Sequence, residues 1–237
     1  MGNFVMQFYN KHYAITPFRH SNLDYRLKLV ESIFKKEKPQ RILDIGCGDG
    51  NFTIYLKKVS KAKEAVGLDI SPKAKKQNNR ILTKIILNIS DEKIPYSDSY
   101  FDAVFCGEII EHLFNPDNLM FEIKRVLKKN GFCILTTPNL ASWVNRISLM
   151  LGFQPGFTEI STLYNPGKIL NKKHELSGHI RVFTHRALKK YLNIYGFKAI
   201  KFIPCIASKL TQPFKVIDIL LSRFVSMNIP LVVYFQK

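Results

Sequence analysis

Three groups of residues in this 237-residue chain have the type and spacing to do chemistry. The first is Asp44-Ile-Gly46-Cys-Gly48-Asp-Gly50, which leads from a short apolar run into a helical pattern. Glycines here permit positive φ and let a ligand approach the backbone closely. The helix N-terminus behind them offers free N–H groups. A dinucleotide fingerprint would need glycine where Asn51 stands, and a P-loop would need Gly-Lys-Ser/Thr, so neither phosphate loop is present. An acid at Asp44, two residues before the first glycine, repels a pyrophosphate and attracts an ammonium group. The second group is Asp69 in Gly67-Leu-Asp69-Ile-Ser71, a carboxylate closing the next apolar run. In that place a carboxylate accepts both hydroxyls of a ribose. Singly, Asp44 reads as a turn residue and Asp69 as a cap for the helix opening at Ser71-Pro72.

The third group is Glu108-Ile-Ile-Glu111-His112, after a further apolar run. Spacing of i, i+3, i+4 puts both carboxylates and the imidazole on one helical face. His112 then serves as general base toward a substrate hydroxyl, oriented by a neighbouring Glu, or merely as a placed hydrogen-bond partner. Together with His179, from Ser177-Gly-His179-Ile, these residues also form an N/O donor set for Mg²⁺, Mn²⁺ or Zn²⁺. The catalytic assignment from sequence is His112, Glu108 and His179, with no metal ligand assigned. His174 and His185 lie in or beside the same downstream segment. His185 precedes a helical pattern, which leaves His179 the stronger site candidate.

The elements that position these groups read as strands alternating with helices. A helix carries Leu23, Leu27, Val30 and Phe34 and ends before Pro39. Strands are expected at Arg41–Cys47, Glu64–Ile70, Lys84–Ile89, Phe101–Cys106 and Phe132–Thr137. Helices are expected at Asn51–Val59, Ser71–Leu82 and Pro116–Lys129, the last closed by Asn130-Gly131. The alternation implies an α/β domain with a parallel, helix-covered sheet. Residues 139–184 break the rhythm, being rich in Gly, Pro, Asn and aromatics, with one short helix at Ser142–Leu151. An irregular insert of that length inside a compact domain is a candidate substrate lid. The pattern resumes with a helix at His185–Tyr195 capped by Gly196 and a strand at Phe197–Pro204. A weakly helical stretch at 213–225 and a strand at Leu231–Phe235 follow. The whole of 1–237 reads as one domain, with 1–38 as an N-terminal helical cap.

Composition bounds the rest. Lys plus Arg number 36 and Asp plus Glu 18, a formal net charge of +18. Hydrophobic residues at 46% exclude a disordered basic tail. Cys47, Cys106, Cys133 and Cys205 form no CxxC pair and no disulfide framework. No signal peptide or bilayer-length apolar window is seen, so a cytoplasmic location is expected. The basic excess points to RNA or an anionic membrane only as lesser options, because the lysines are scattered. Lys-rich stretches at 73–76 and 124–129 are expected on outer helices, away from the site.

The run Leu43-Asp-Ile-Gly-Cys-Gly-Asp-Gly50, with Asp69, Phe101-Asp-Ala-Val104 and Glu108-Ile-Ile-Glu111-His112, resembles the class I S-adenosylmethionine-dependent methyltransferases. The third group resembles a pattern found among ubiquinone-biosynthesis O-methyltransferases and small-RNA 2′-O-methyltransferases, and the chain as a whole resembles the ubiquinone-biosynthesis O-methyltransferase-like branch. The resemblance implies a doubly wound, mostly parallel seven-stranded Rossmann-like sheet with a reversed final hairpin and an inserted lid. It implies S-adenosylmethionine as cofactor. Asp44, Gly46, Cys47, Gly48 and Gly50 would hold the methionine end, Asp69 the ribose and Ile70 the adenine. Asn88 and Ile89 would meet the adenine edge, Asn88 standing where the family often has an acid. Cys106 and Glu108 would lie beside the sulfonium. The expected reaction is O-methylation of a small lipid-like, quinone-like or sugar acceptor, with metal-assisted RNA 2′-O-methylation as the alternative. Peripheral membrane contact through Ser142–Phe153 or Val216–Val225 is a further expectation.

Overall fold

The computed structural model describes residues 23–71, 82–169, 176–207 and 210–237. Along the described chain run α1 (Tyr25–Glu37), β1 (Arg41–Ile45), α2 (Asn51–Ser60), β2 (Glu64–Asp69), β3 (Thr83–Ile86) and β4 (Phe101–Gly107). A one-turn 3₁₀ segment, Ile110–His112, leads to α3 (Pro116–Val126), β5 (Leu127–Pro138) and α4 (Trp143–Met150). The chain closes with α5 (His185–Ile194), β6 (Lys198–Ile203), α6 (Phe214–Leu221) and β7 (Pro230–Gln236). The helix expected at Ser71–Leu82 and the lysines at 73–76 fall almost wholly outside the described residues, as does His174.

The seven strands form one sheet in the order β3-β2-β1-β4-β5-β7-β6. β1 to β5 are parallel, and β7 runs antiparallel to both β5 and β6. Successive residues of each strand feed opposite layers. Ile42, Ala65, Ala103 and Ile134 pack with Val30, Phe34 and Leu56 of α1 and α2. Leu43, Val66, Val104 and Cys133 pack with Leu119, Ile123 and Leu188 of α3 and α5. Both faces of the central strands are therefore dry, which is why those strands read as apolar runs, whereas the edge strands β3 and β6 stay partly exposed.

Local chemistry sets the helix ends. Asp24 accepts the Leu27 N–H at 2.8 Å, and Lys38 takes φ 50 to end α1 just before Pro39. Asn115 caps α3 in front of Pro116, and Thr184 caps α5. One boundary differs from expectation. α3 stops at Val126, and 127–130 belong to β5, where Leu127 pairs with Phe101. The register slips between Phe101 and Ala103, and Asn130 takes φ 64 there. A Cβ on Gly131 would lie 2.9 Å from the Lys128 carbonyl oxygen and 3.0 Å from that of Asp102. Asn130-Gly131 thus makes a bulge rather than a helix cap. Lys128 pairs with Asp102 at 2.6 Å, and Arg125 chelates Glu122, so this basic stretch is tied into the fold.

Candidate active site

The parallel register brings the ends of β1, β2 and β4 to one edge of the sheet, with Asp44 opposite Gly67 and Phe105. Beyond β1 the chain turns through Gly46, Gly48 and Gly50 at φ 81, 54 and 79. The Gly46 and Cys47 N–H groups both donate to the Leu68 carbonyl, at 2.7 and 2.9 Å, pinning the loop to β2. A Cβ on Gly46 would collide with the Ile109 side chain, whereas one on Gly48 would meet nothing within 4 Å. Gly48 therefore faces open space, in a conformation that favours glycine.

That space is a cavity of about 420 Å³. Of the residues expected to bind cofactor, Gly46, Gly48, Asp69, Ile70, Asn88, Ile89 and Glu108 line it. Asp44, Cys47, Gly50 and Cys106 do not. Asp44 is buried behind the loop and accepts the Thr53 hydroxyl at 2.5 Å. Burial pushes its carboxyl up to about 7, against the Thr53 bond and with the negative charges of Asp69 and Asp49 adding to the rise. Cys47 packs against Gly67, Gly50 caps α2, and Cys106 is sealed in the core between strands. Asp44, Cys47 and Gly50 thus shape the loop from behind.

Asp69 holds the rim of the cavity. One carboxylate oxygen accepts the Gly48 N–H and the other the Ser71 N–H, each at 2.8 Å. Burial raises its pKa, and those donors oppose the rise. The Asn88 amide is folded into its own turn, accepting the Ser90 N–H at 3.1 Å and donating to Asp91 at 2.9 Å.

The other end of the cavity carries Glu108, Ile109 and His112. Glu108 does not continue the helical face expected from its spacing. It takes φ 56, which breaks the helical register before the 3₁₀ turn begins. Its N–H donates to the Thr136 carbonyl, and its carboxylate accepts the Thr136 hydroxyl, both at 2.9 Å. The same carboxylate oxygen pairs with Arg26 at 2.7 Å. Arg26 lines the cavity, and its Nε finds no hydrogen-bond partner among the described residues. Reasoning from sequence missed Arg26. The signal was present, since it falls at i+3 from Leu23 and four before Val30, a cation inside the apolar stripe of α1.

Glu111, His112 and His179 come together instead, their ligand atoms all within 4.8 Å of one another. His112 Nδ1 lies 3.0 Å from the Gly178 carbonyl, and His179 Nδ1 lies 2.8 Å from the Phe157 carbonyl. A carbonyl only accepts, so both Nδ1 atoms carry a proton, and neutral His112 keeps its lone pair on Nε2. His112 Nε2 stands 4.0 Å from Glu111 Oε1, and that oxygen has no hydrogen-bond partner among the described residues. Glu111 Oε2 accepts the Thr137 hydroxyl at 2.9 Å. Burial, and then the Glu108 charge, push the Glu111 carboxyl well up. Burial, with His179 beside it, pulls His112 down to about 4. A neutral His112 thus stands beside His179 and a carboxyl group whose pKa burial raises.

The inserted segment supplies one of the three residues of this cluster, His179. Its ends are joined where Asn139 bridges Phe183 and the Leu140 N–H donates to the Phe183 carbonyl at 2.8 Å. Between them, Ile180 and Arg181 donate their N–H groups to the Glu111 carbonyl at 2.8 and 3.1 Å. Phe157, which holds His179, sits at φ 69. Like Glu108, it is a non-glycine residue held in left-handed backbone beside the site, where such strain concentrates.

The comparisons agree with this architecture. A family model described as a methyltransferase domain matches residues 18–201. An uncharacterized protein of Methanocaldococcus jannaschii is 29% identical over 199 residues, covering 83% of this chain and 78% of that one. A mitochondrial ubiquinone biosynthesis O-methyltransferase of Dictyostelium discoideum is 26% identical over 166 residues, covering 59% of this chain and 50% of its own. The chain spans about half the length, or less, of several such curated relatives. A SAM-dependent methyltransferase from Archaeoglobus fulgidus shares the fold with a TM-score of 0.57 at 18% identity, over 89% of this chain and 94% of that one. No described helix is long and apolar enough to cross a membrane. With a family model covering most of its length and the glycine loop, Asp69 and reversed hairpin in place, the chain belongs to the class I S-adenosylmethionine-dependent methyltransferases.

Proposed function

We propose that the chain methylates a hydroxyl of a small, partly apolar acceptor, with the cofactor in the 420 Å³ cavity and the acceptor against the Glu111–His112–His179 cluster. One observation carries the reading: a single cavity is bounded by the glycine loop and Asp69 at one end and by His112 at the other. The residues fit S-adenosylmethionine. Open space lies where a Cβ of Gly48 would point, and Arg26, a cation lining the cavity, would meet the cofactor carboxylate. Bound there, the cofactor supplies a sulfonium methyl group, already a good electrophile. Asp69 would accept the ribose hydroxyls with its remaining lone pairs, and Ile70 and Ile89 would pack on the adenine. His112, neutral at physiological pH, would take the acceptor proton at Nε2, while Gly178 holds the ring through Nδ1. Such a base contributes about 10²–10⁴-fold, and positioning supplies much of the rest.

The cluster also fits a divalent metal. Two imidazoles and an unsatisfied carboxylate oxygen are an N/O donor set suited to Zn²⁺, Mn²⁺ or Mg²⁺. Bound metal would acidify a coordinated acceptor hydroxyl. Glu111 would lose its proton on ligation, with the Thr137, Gly178 and Phe157 contacts orienting the ligands. Glu108 is excluded by its pairing with Arg26. A small apolar acceptor is favoured over RNA because a second cavity, about 510 Å³ and walled by Trp143, Ile147, Leu151 and Phe214, also includes Phe157 and Ser177 beside the cluster. The test is methyl-donor consumption against a metabolite extract and against RNA, with and without EDTA, alongside calorimetry with S-adenosylhomocysteine. Wild type should bind S-adenosylhomocysteine and Asp69→Ala should not. Equal affinity in the two would overturn the cofactor placement, and full turnover by His112→Ala would overturn both roles of the cluster.

A further inference from the structure

The helix α6 is built inside out. Its buried residue is Asp218, whereas Phe214, Val216, Ile217, Ile219 and Leu220 are all exposed. The orientation is locked by the carboxylate. Asp218 accepts the Trp143 indole N–H at 2.8 Å and the Ala207 N–H at 2.7 Å. Trp143, the first residue of α4, also stacks on Phe214, with ring centroids 6.4 Å apart. The two helices thus lie together, and α4 likewise turns apolar residues outward. Met150 is 86% exposed, and Leu149 and Leu151 are exposed beside it. A run of large apolar side chains in water is unfavourable, and its persistence on two adjoining helices marks a surface that meets an apolar phase.

The charges identify that phase. Arg146, Lys215 and Arg223 are exposed within these same stretches. By helical spacing Arg146 neighbours Met150 and Lys215 neighbours Ile219, each at i+4. Residues 139–158 contain no acid, and 199–237 contain only Asp218, which is turned inward. Apolar side chains with cations beside them and no exposed acid match the interface of an anionic bilayer, apolar beneath and negative at the headgroups. Helices of eight residues cannot span it, so they would lie in the interfacial plane. We propose that the α4–α6 face docks the protein on anionic lipid. Ile147, Leu151 and Phe214 of this face also wall the 510 Å³ cavity that reaches Phe157 and Ser177. Docking would therefore set the mouth of that cavity against the bilayer.

The test is co-sedimentation of the full chain with vesicles of phosphatidylcholine alone or mixed with phosphatidylglycerol, independent of any methyl-transfer assay. Wild type should pellet with the anionic vesicles and be released by high salt. Each interfacial cation is worth about fivefold in affinity, so the triple variant Arg146→Gln/Lys215→Gln/Arg223→Gln should bind roughly 100-fold more weakly. Met150→Glu/Leu220→Glu, with circular dichroism matching wild type, should not pellet. The proposal is overturned if wild type stays in the supernatant with anionic vesicles, or if either variant pellets as wild type does. It is also overturned if light scattering shows a dimer that Met150→Glu/Leu220→Glu dissociates while wild type ignores vesicles, since the face would then be a contact between copies.

Discussion

Replacing Asp44 with asparagine should change how stability depends on pH. Asp44 is 2% exposed, and its carboxylate accepts the Thr53 hydroxyl. That carboxyl titrates at about 7 in the fold against 3.8 in a free chain. Between these values the folded protein keeps a proton that the unfolded chain has released. Protons therefore favour folding across that window, and stability declines as pH rises from about 4 to 7. The gap of about three pH units corresponds to roughly 4 kcal/mol at ~1.4 kcal/mol per unit, an upper figure because the pocket relaxes around the charge. In Asp44→Asn the amide carbonyl can accept the same Thr53 hydroxyl, and the side chain carries no charge to desolvate. Urea unfolding of both proteins, followed by circular dichroism at half-unit steps from pH 4 to 8, gives the difference directly. Wild type minus variant should fall by up to about 4 kcal/mol across pH 4–7 and then level off. A difference that is flat would show that Asp44 ionises as it does in water. A difference that rises with pH would show that the fold stabilises the charged form of Asp44.

The loop separates folding from binding in a second way. Gly46→Ala should cost about 1–3 kcal/mol of stability, because positive φ and the Ile109 side chain both oppose a Cβ, as thermal unfolding would show. Gly48→Ala should cost about 1 kcal/mol from its positive φ alone and lose S-adenosylhomocysteine affinity, because Gly48 lines the cavity; equal affinity by calorimetry would contradict this. Asp69→Asn should lower stability by about 1–3 kcal/mol even without ligand, because an amide cannot accept from both the Gly48 and Ser71 N–H groups. Arg26→Gln should cost about 1–2 kcal/mol by leaving Glu108 without its cation, and Arg26→Gln/Glu108→Gln should regain stability without regaining affinity for S-adenosylhomocysteine.

Much of this architecture follows from local pattern. The parallel strands were readable because β1, β2, β4 and β5 contain apolar runs that the sheet buries on both faces. The glycine loop and Asp69 were readable for the same reason, since positive φ and strand-end carboxylates are short-range requirements. The end of α3 was not, because the pairing of Leu127 with Phe101 across the sheet overrides the helical preference of Lys128 and Lys129.

What sequence alone determined is therefore the order of elements, the glycine loop and the set of polar residues available at one sheet edge. Tertiary structure decided which of those residues meet. It drew Glu108 away to Arg26, a residue 82 positions earlier, and brought His179 from the insert onto Glu111 and His112. It set Asp44 behind the loop with a carboxyl raised by burial, and it turned α6 so that its acid faces in and its apolar residues face out. Spacing along the chain specifies neighbours within a turn or a strand. Burial, charge pairing and orientation depend on contacts between segments far apart in sequence, and those arise only when the sheet closes its two layers.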